Sequence, residues 1–258
     1  MVKTPSVLTR WPKYPELSAN NFRDARVYAD RSDMIAALPL AKGGKVAEIG
    51  VWRAAFSKVL CATLQPREFV AFDIFTGHLL KNWNSLTGHE LFEGLTQRQF
   101  YEREMAEFMN VVKVVEGNSA ETLRDFTDGS FDLVYVDGDH EYPAVKADAD
   151  LAVKMVKDDG FLVFNDYMLM DHKNDAYGIV PVVNDLVVNH GWFVVGYAIN
   201  HALYSDIALQ RAQPEPVPEP VPEPIPEPEP VPVAAPPAAV EPAGLIGMIR
   251  SFTRKLGG

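Results

Sequence analysis

The chain has 258 residues, of which 47% are hydrophobic, and a formal net charge of −11. That apolar content is enough for a globular core, and the negative balance excludes a nucleic-acid backbone as the main partner, because counterion release needs clustered Lys and Arg. A single cysteine, Cys61, excludes an intramolecular disulfide, and no run approaches the roughly 20 apolar residues a membrane span needs, so a cytoplasmic location is expected.

Residues 1–20, interrupted by Pro5, Pro12 and Pro15, are expected to be an extension with no apolar signal core. From residue 21 to 211 the pattern alternates helix and strand. Residues 22–38 have helical spacing and stop before Pro39. The apolar run 45–49 predicts a strand closed by Gly50, and 54–64 a helix. Further strands are predicted at 69–72, ending at Asp73, at 111–115, and at 131–136, ending at Asp137. Residues 142–156 read as a helix, stopped by a turn at Asp158-Asp159-Gly160, before a strand at 161–164. A helix at 180–189 precedes two strands, 192–198 and 202–209.

Nearly continuous apolar strands separated by helices indicate a parallel sheet covered on both faces. The three residues between the last two strands are too few for a parallel crossover, so these strands must form an antiparallel hairpin. The predicted fold is therefore α/β: a Rossmann-like parallel sheet with a terminal antiparallel hairpin.

Composition changes after Arg211. From Pro214 to Pro232 every second residue is proline, alternating with Glu or an aliphatic residue. Residues 212–242 are expected to be a polyproline II linker that takes no part in a core. In residues 243–258, Leu245, Ile246, Ile249, Phe252 and Leu256 recur at helical spacing among Arg250, Arg254 and Lys255. An amphipathic helix is expected there, lying on a membrane surface or docking on a protein partner.

In open α/β sheets ligands bind beyond the carboxyl ends of the strands. Five predicted strands end in polar residues: Glu48 and Gly50, Asp73, Gly117-Asn118-Ser119, Asp137-Gly138-Asp139-His140, and Asn165-Asp166-Tyr167. Singly, each could cap the following helix. Jointly they predict a site.

The run Val46-Ala47-Glu48-Ile49-Gly50-Val51 with Phe56-Ser57, and Asp73 placed 23 positions after Gly50, resemble the class I S-adenosylmethionine (SAM)-dependent methyltransferases. The stretches 136–142 and 160–167 resemble small bacterial members related to sugar and natural-product O-methyltransferases. The resemblance covers roughly residues 31–211 and includes the closing hairpin. It implies a SAM cofactor, with Gly50 allowing close approach of the backbone and Glu48 and Ser57 near the amino-acid end. It further implies Asp73 on the ribose hydroxyls, Asn118 and Ser119 at the adenine, and Asp137 facing the methionine part or a metal. Where the family carries a further glycine in the first loop, this chain has Ala54, which costs little at negative φ and more at positive φ.

The implied reaction is methylation of a hydroxyl on a small-molecule or glycan acceptor. Two arrangements are open for activating that hydroxyl. Asp137, Asn165 and Asp166 could bind Mg²⁺, a hard cation suited to oxygen ligands. Alternatively His140 could act as a metal-free general base, or it could instead cap the following helix or order a loop; His140 and Asp166 are the catalytic candidates. The aromatic-rich segment 75–110 could fold as a lid over the acceptor, or be an ordinary helix pair with a buried aromatic face. Two other readings stand beside this one: a catalytically silent SAM-fold protein acting through its tail, and a methyltransferase acting on nitrogen or protein side chains.

Overall fold

A computed structural model describes residues 13–171, 175–200 and 204–211. The linker expected at 212–242, the amphipathic helix expected at 243–258 and residues 1–12 lie outside the described residues. No described helix is long and apolar enough to cross a membrane.

The chain forms β1 (Phe22–Tyr28), α1 (Arg31–Ala37), β2 (Lys45–Ile49), α2 (Ala55–Leu64), β3 (Glu68–Asp73), α3 (Gly88–Leu91), α4 (Gln97–Glu104), β4 (Val112–Glu116), α5 (Ser119–Thr122), β5 (Phe131–Val136), α6 (Tyr142–Met155), β6 (Val156–Phe164), α7 (Ile179–Asn189), β7 (Trp192–Ala198) and β8 (Asp206–Arg211). The strands make one sheet in the order β1-β7-β8-β6-β5-β2-β3-β4. Pairings are parallel except those of β8, which runs antiparallel to both β6 and β7. The α/β sheet with its closing antiparallel hairpin is thus as the sequence predicts.

Strand side chains alternate between two buried layers, because a strand turns successive residues to opposite faces. Ala47, Val70, Val134 and Leu162 pack with α6 and α7 on one side. Val46, Phe69, Leu133 and Phe161 pack with α1 and α2 on the other. Burial of both faces explains why these strands are nearly continuously apolar. At the amino end, the Asn184 side chain on α7 donates to the carbonyl of Pro15, 2.8 Å away, fastening residues before β1 to the helical layer.

Three predicted elements differ, the first being the last strand, which runs Asp206–Arg211 and not 202–209. Residues 22–38 are not one helix: β1 occupies 22–28 and pairs in parallel with β7, and the helix starts only at Arg31, capped by Asp30 accepting from Ser32 N. The turn predicted at Asp158-Asp159-Gly160 lies inside β6, where the register against β5 jumps from Phe131↔Val156 to Leu133↔Phe161. The chain bulges there instead of ending the strand.

The ladder continues one step past the strand ends. Gly50 N donates to Phe72 O (2.8 Å), Asp137 N to Ile49 O (2.7 Å), Gly117 N to Asp73 O (3.0 Å) and Asn165 N to Val136 O (3.0 Å). These bonds align the five polar termini in one row along the sheet's carboxyl edge.

Candidate active site

A cleft of about 480 Å³ opens above β2, β3, β4 and β5. Gly50, Asp73, Asn118, Ser119 and Asp137 line it, so five of the expected positions converge on one cavity. Its wall is completed by Trp52 after β2 and by Ile74, Gly77 and Leu80 from the segment after β3.

Asp73 organises the loop after β2. Its Oδ2 accepts from the backbone N–H groups of Val51 (3.0 Å) and Trp52 (3.2 Å), and its Oδ1 from Phe75 N (2.7 Å). A carboxylate has about four lone-pair sites, so capacity remains toward the cleft. Gly50 has φ +85°, and a Cβ there would sit 2.0 Å from the carbonyl oxygen of Asp137. The glycine is required first for the close approach of β2 and β5, a reason the sequence alone did not give. Ala54 has φ +65°, the costlier of the two cases for the altered loop, and Trp52 has φ +41°.

Asn118 caps α5, its Oδ1 accepting from Ala120 N at 2.9 Å, so it fills a structural position at the cleft wall. Glu48 and Ser57 do not line the cleft. Glu48, 1% exposed, points into the layer between the sheet and α2, where its carboxyl hydrogen-bonds the Ser57 hydroxyl. Burial pushes the Glu48 carboxyl up to about 8.

Beside the cleft lies a second polar group. Burial, reinforced by the charge of Asp166, holds the Asp137 carboxyl well above the usual range. Asn165 Nδ2 donates to Asp137 Oδ1 at 2.9 Å, and Asn165 Oδ1 accepts from Arg31 Nη1 at 3.1 Å. Asp166, with φ +52°, places Oδ2 3.2 Å from His140 Nε2. The imidazole stacks on Tyr177, ring centroids 4.4 Å apart. Burial alone would lower the His140 pKa, but the hydrogen bond and charge of Asp166 outweigh it and raise it.

The three residues expected to hold Mg²⁺ are therefore neighbours, but their donors do not fit the ion. The Asn165 amide turns a donor toward Asp137 and commits its oxygen to Arg31. The guanidinium lies 3.8 Å from Asp137 Oδ2, and Asp166 is engaged by His140. No group of three His, Cys, Asp or Glu among the described residues is arranged to hold a metal.

The expected lid comprises α3, α4 and two short 3-10 turns, with Leu91, Phe92 and Phe100 as its own small core. Trp52 touches both Trp83 and Phe92, each at 5.3 Å between ring centroids. Gln97, 1% exposed, accepts from Gly77 N (2.7 Å) and donates to Trp52 O (3.2 Å), tying this segment to the loop after β2.

Three participants escaped the sequence reading. Gln97 carries no sequence signal. Arg31 was hidden by the misplaced helix start. Asp148 left a trace, since it lies on the α6 stripe with Val145, Ala149 and Ala152, where an acid is out of place. It lines the cleft, and burial pushes its carboxyl up to about 6.

Residues 47–167 match the model of a family described as a methyltransferase domain. Among solved structures, an O-methyltransferase family protein from Burkholderia thailandensis superposes with a TM-score of 0.51 at 16% identity, over 71% of this chain and 56% of that one. A precorrin-6y C5,15-methyltransferase from Geobacter metallireducens aligns at 16% identity and TM-score 0.49, over 75% of this chain and 95% of that one. The N-methyltransferase NodS from Bradyrhizobium japonicum, solved with S-adenosyl-L-homocysteine, gives 13% identity and TM-score 0.49, over 71% and 86%. The chain thus spans little more than half the length of the Burkholderia protein. No curated protein matches the sequence.

Proposed function

We propose that this chain is a class I SAM-dependent methyltransferase, a reading supported by the methyltransferase-domain match over residues 47–167, and that it methylates a hydroxyl oxygen of a small-molecule or glycan acceptor, with His140 as the base. The observation that carries this reading is the His140–Asp166 contact of 3.2 Å, set beside Asp137 at the edge of the cleft. SAM supplies an electrophilic methyl group and a neutral leaving group, so the protein's tasks are alignment and proton removal.

In this reading Asp73, Asn118 and Ser119 hold the adenosine, and Gly50 keeps the loop after β2 low enough to admit it. Asp137, at the cleft's other end, faces the methionine part. Asp166 favours the His140 tautomer with the proton on Nε2, which leaves the Nδ1 lone pair to accept the hydroxyl proton. Asp166 then steadies the imidazolium. Glu48 and Ser57 support the loop from below and do not touch the cofactor.

The test is transfer of labelled methyl from SAM across a panel of hydroxyl, amine and thiol acceptors. Label on oxygen, lost in His140→Gln with SAM affinity unchanged, supports the reading. Transfer only to nitrogen, or full activity without His140, overturns it.

A further inference from the structure

The geometry points to Arg31 as the resident cation of the acceptor side, occupying the place a divalent ion would take, an inference that rests on the methyltransferase reading above. Arg31 is the first residue of α1, and its backbone N–H is fixed by Asn200 Oδ1 at 2.8 Å. Its guanidinium carbon lies over the Phe56 ring, 4.0 Å from the centroid, and Nη1 donates to Tyr135 Oη at 3.0 Å and to Asn165 Oδ1 at 3.1 Å.

The bracing extends one step further. The Tyr135 hydroxyl donates to the buried carboxylate of Asp206, and Asn200 Nδ2 donates to the other oxygen of that carboxylate at 2.5 Å. Arg31, Tyr135, Asp206 and Asn200 thus close a ring of hydrogen bonds between α1, β5 and the hairpin. A guanidinium held on so many sides cannot swing away without breaking a buried network.

What that fixed charge does follows from its neighbours. It lies 3.8 Å from Asp137 Oδ2 and takes the oxygen of Asn165, the two groups a metal would need first. A guanidinium stays protonated at any working pH and offers planar donors. It therefore supplies permanent positive charge beside the reacting oxygen, while proton removal is left to His140. It also repels a dication. Transfer should accordingly proceed without a divalent metal, and Arg31 acts as a positioning residue for Asp137 and Asn165.

The test uses the full chain with Mn²⁺ as probe, free Mn²⁺ being read by electron paramagnetic resonance. Wild type should leave Mn²⁺ free. Arg31→Met, which keeps the packing on Phe56 while removing the charge, should gain at least about tenfold in Mn²⁺ affinity as the oxygens of Asp137 and Asn165 are released. Arg31→Lys, which keeps the charge, should not. Mn²⁺ bound by wild type and lost in Asp137→Asn would overturn the inference, as would no gain in a folded Arg31→Met protein. Should Arg31→Met fail to fold, wild type and Arg31→Lys decide: Mn²⁺ left free by both supports the inference, and Mn²⁺ bound by either overturns it. Calorimetry with S-adenosylhomocysteine on the same wild-type sample separates the two levels, since absence of binding refutes the methyltransferase reading whatever Mn²⁺ does.

Discussion

The carboxylate of Asp73, at the end of β3, accepts a hydrogen bond of 3.0 Å from the backbone N–H of Val51, at the start of the loop after β2. One side chain thereby both faces the cleft and fixes the loop that borders it. Asp73→Asn should expose the difference. Both carboxylate oxygens receive backbone donors, from Val51 and Trp52 on one side and Phe75 on the other. Either orientation of an amide sets an N–H group against an N–H group. We expect a loss of about 1–3 kcal/mol in urea denaturation, without any ligand present. Unchanged stability would show that the loop is held by other means.

His140 should titrate above a free histidine, because Asp166 stabilises its charged form. The base form then becomes available only as pH rises through that raised value. Methyl transfer should climb across the same interval. Asp166→Asn should lower the midpoint and drop turnover by about 10²–10⁴ while leaving SAM affinity nearly intact. An NMR titration of the His140 ring checks the first point without an acceptor; an unshifted midpoint in Asp166→Asn would refute the pairing.

Glu48 makes stability depend on pH. Its folded-state pKa is raised to about 8, above the ordinary carboxyl value, so the folded protein binds the proton more tightly than the unfolded chain. That contribution is complete at acid pH, below the unfolded value, and is lost as pH rises to about 8. Glu48→Gln is neutral throughout and should flatten the decline, becoming the more stable protein at pH 9. Denaturation midpoints at pH 5, 7 and 9 test this; parallel curves for both proteins would contradict it.

Gly50 and Ala54 share positive φ but differ in what surrounds them. Gly50→Ala drives a Cβ to 2.0 Å from Asp137 O and should cost more than about 2 kcal/mol, disturbing the β2–β5 junction. Ala54→Gly relieves left-handed strain but gives up a buried methyl, and these effects, each about 1 kcal/mol, should nearly cancel. Thermal unfolding of the two variants should separate them clearly. Equal midpoints would mean the junction yields more easily than its packing implies.

Much of this arrangement was legible because strands buried on both faces leave nearly continuous apolar runs. Residues 45–49, 131–136 and 192–198 carry such runs and are strands over those bounds. β1 was missed for the complementary reason. It is an edge strand, mostly exposed, and Phe22, Ala25 and Tyr28, three residues apart, mimic helical spacing. The bulge at 157–160 was missed because Asp-Asp-Gly is a turn sequence in isolation. Only its position between two paired stretches keeps it in β6, where a Cβ on Gly160 would lie 3.0 Å from the carbonyls of Phe131 and Asp132. At the site, the residues closing the strands were visible from topology. The direction of a side chain was not. Glu48 turned away from the cleft because alternation from Ile49 sends it to the opposite face. Arg31 and Asp206 meet only through the fold, more than a hundred residues apart in sequence.

The central claim is that adenosine lies in the cleft with its ribose on Asp73. Isothermal titration of S-adenosylhomocysteine into wild type and Asp73→Ala tests it most directly. The account predicts one-to-one binding to wild type and an affinity about 10–100-fold weaker in the variant, through loss of a charge-assisted pair. No binding to wild type, or equal affinity for both proteins, would contradict it.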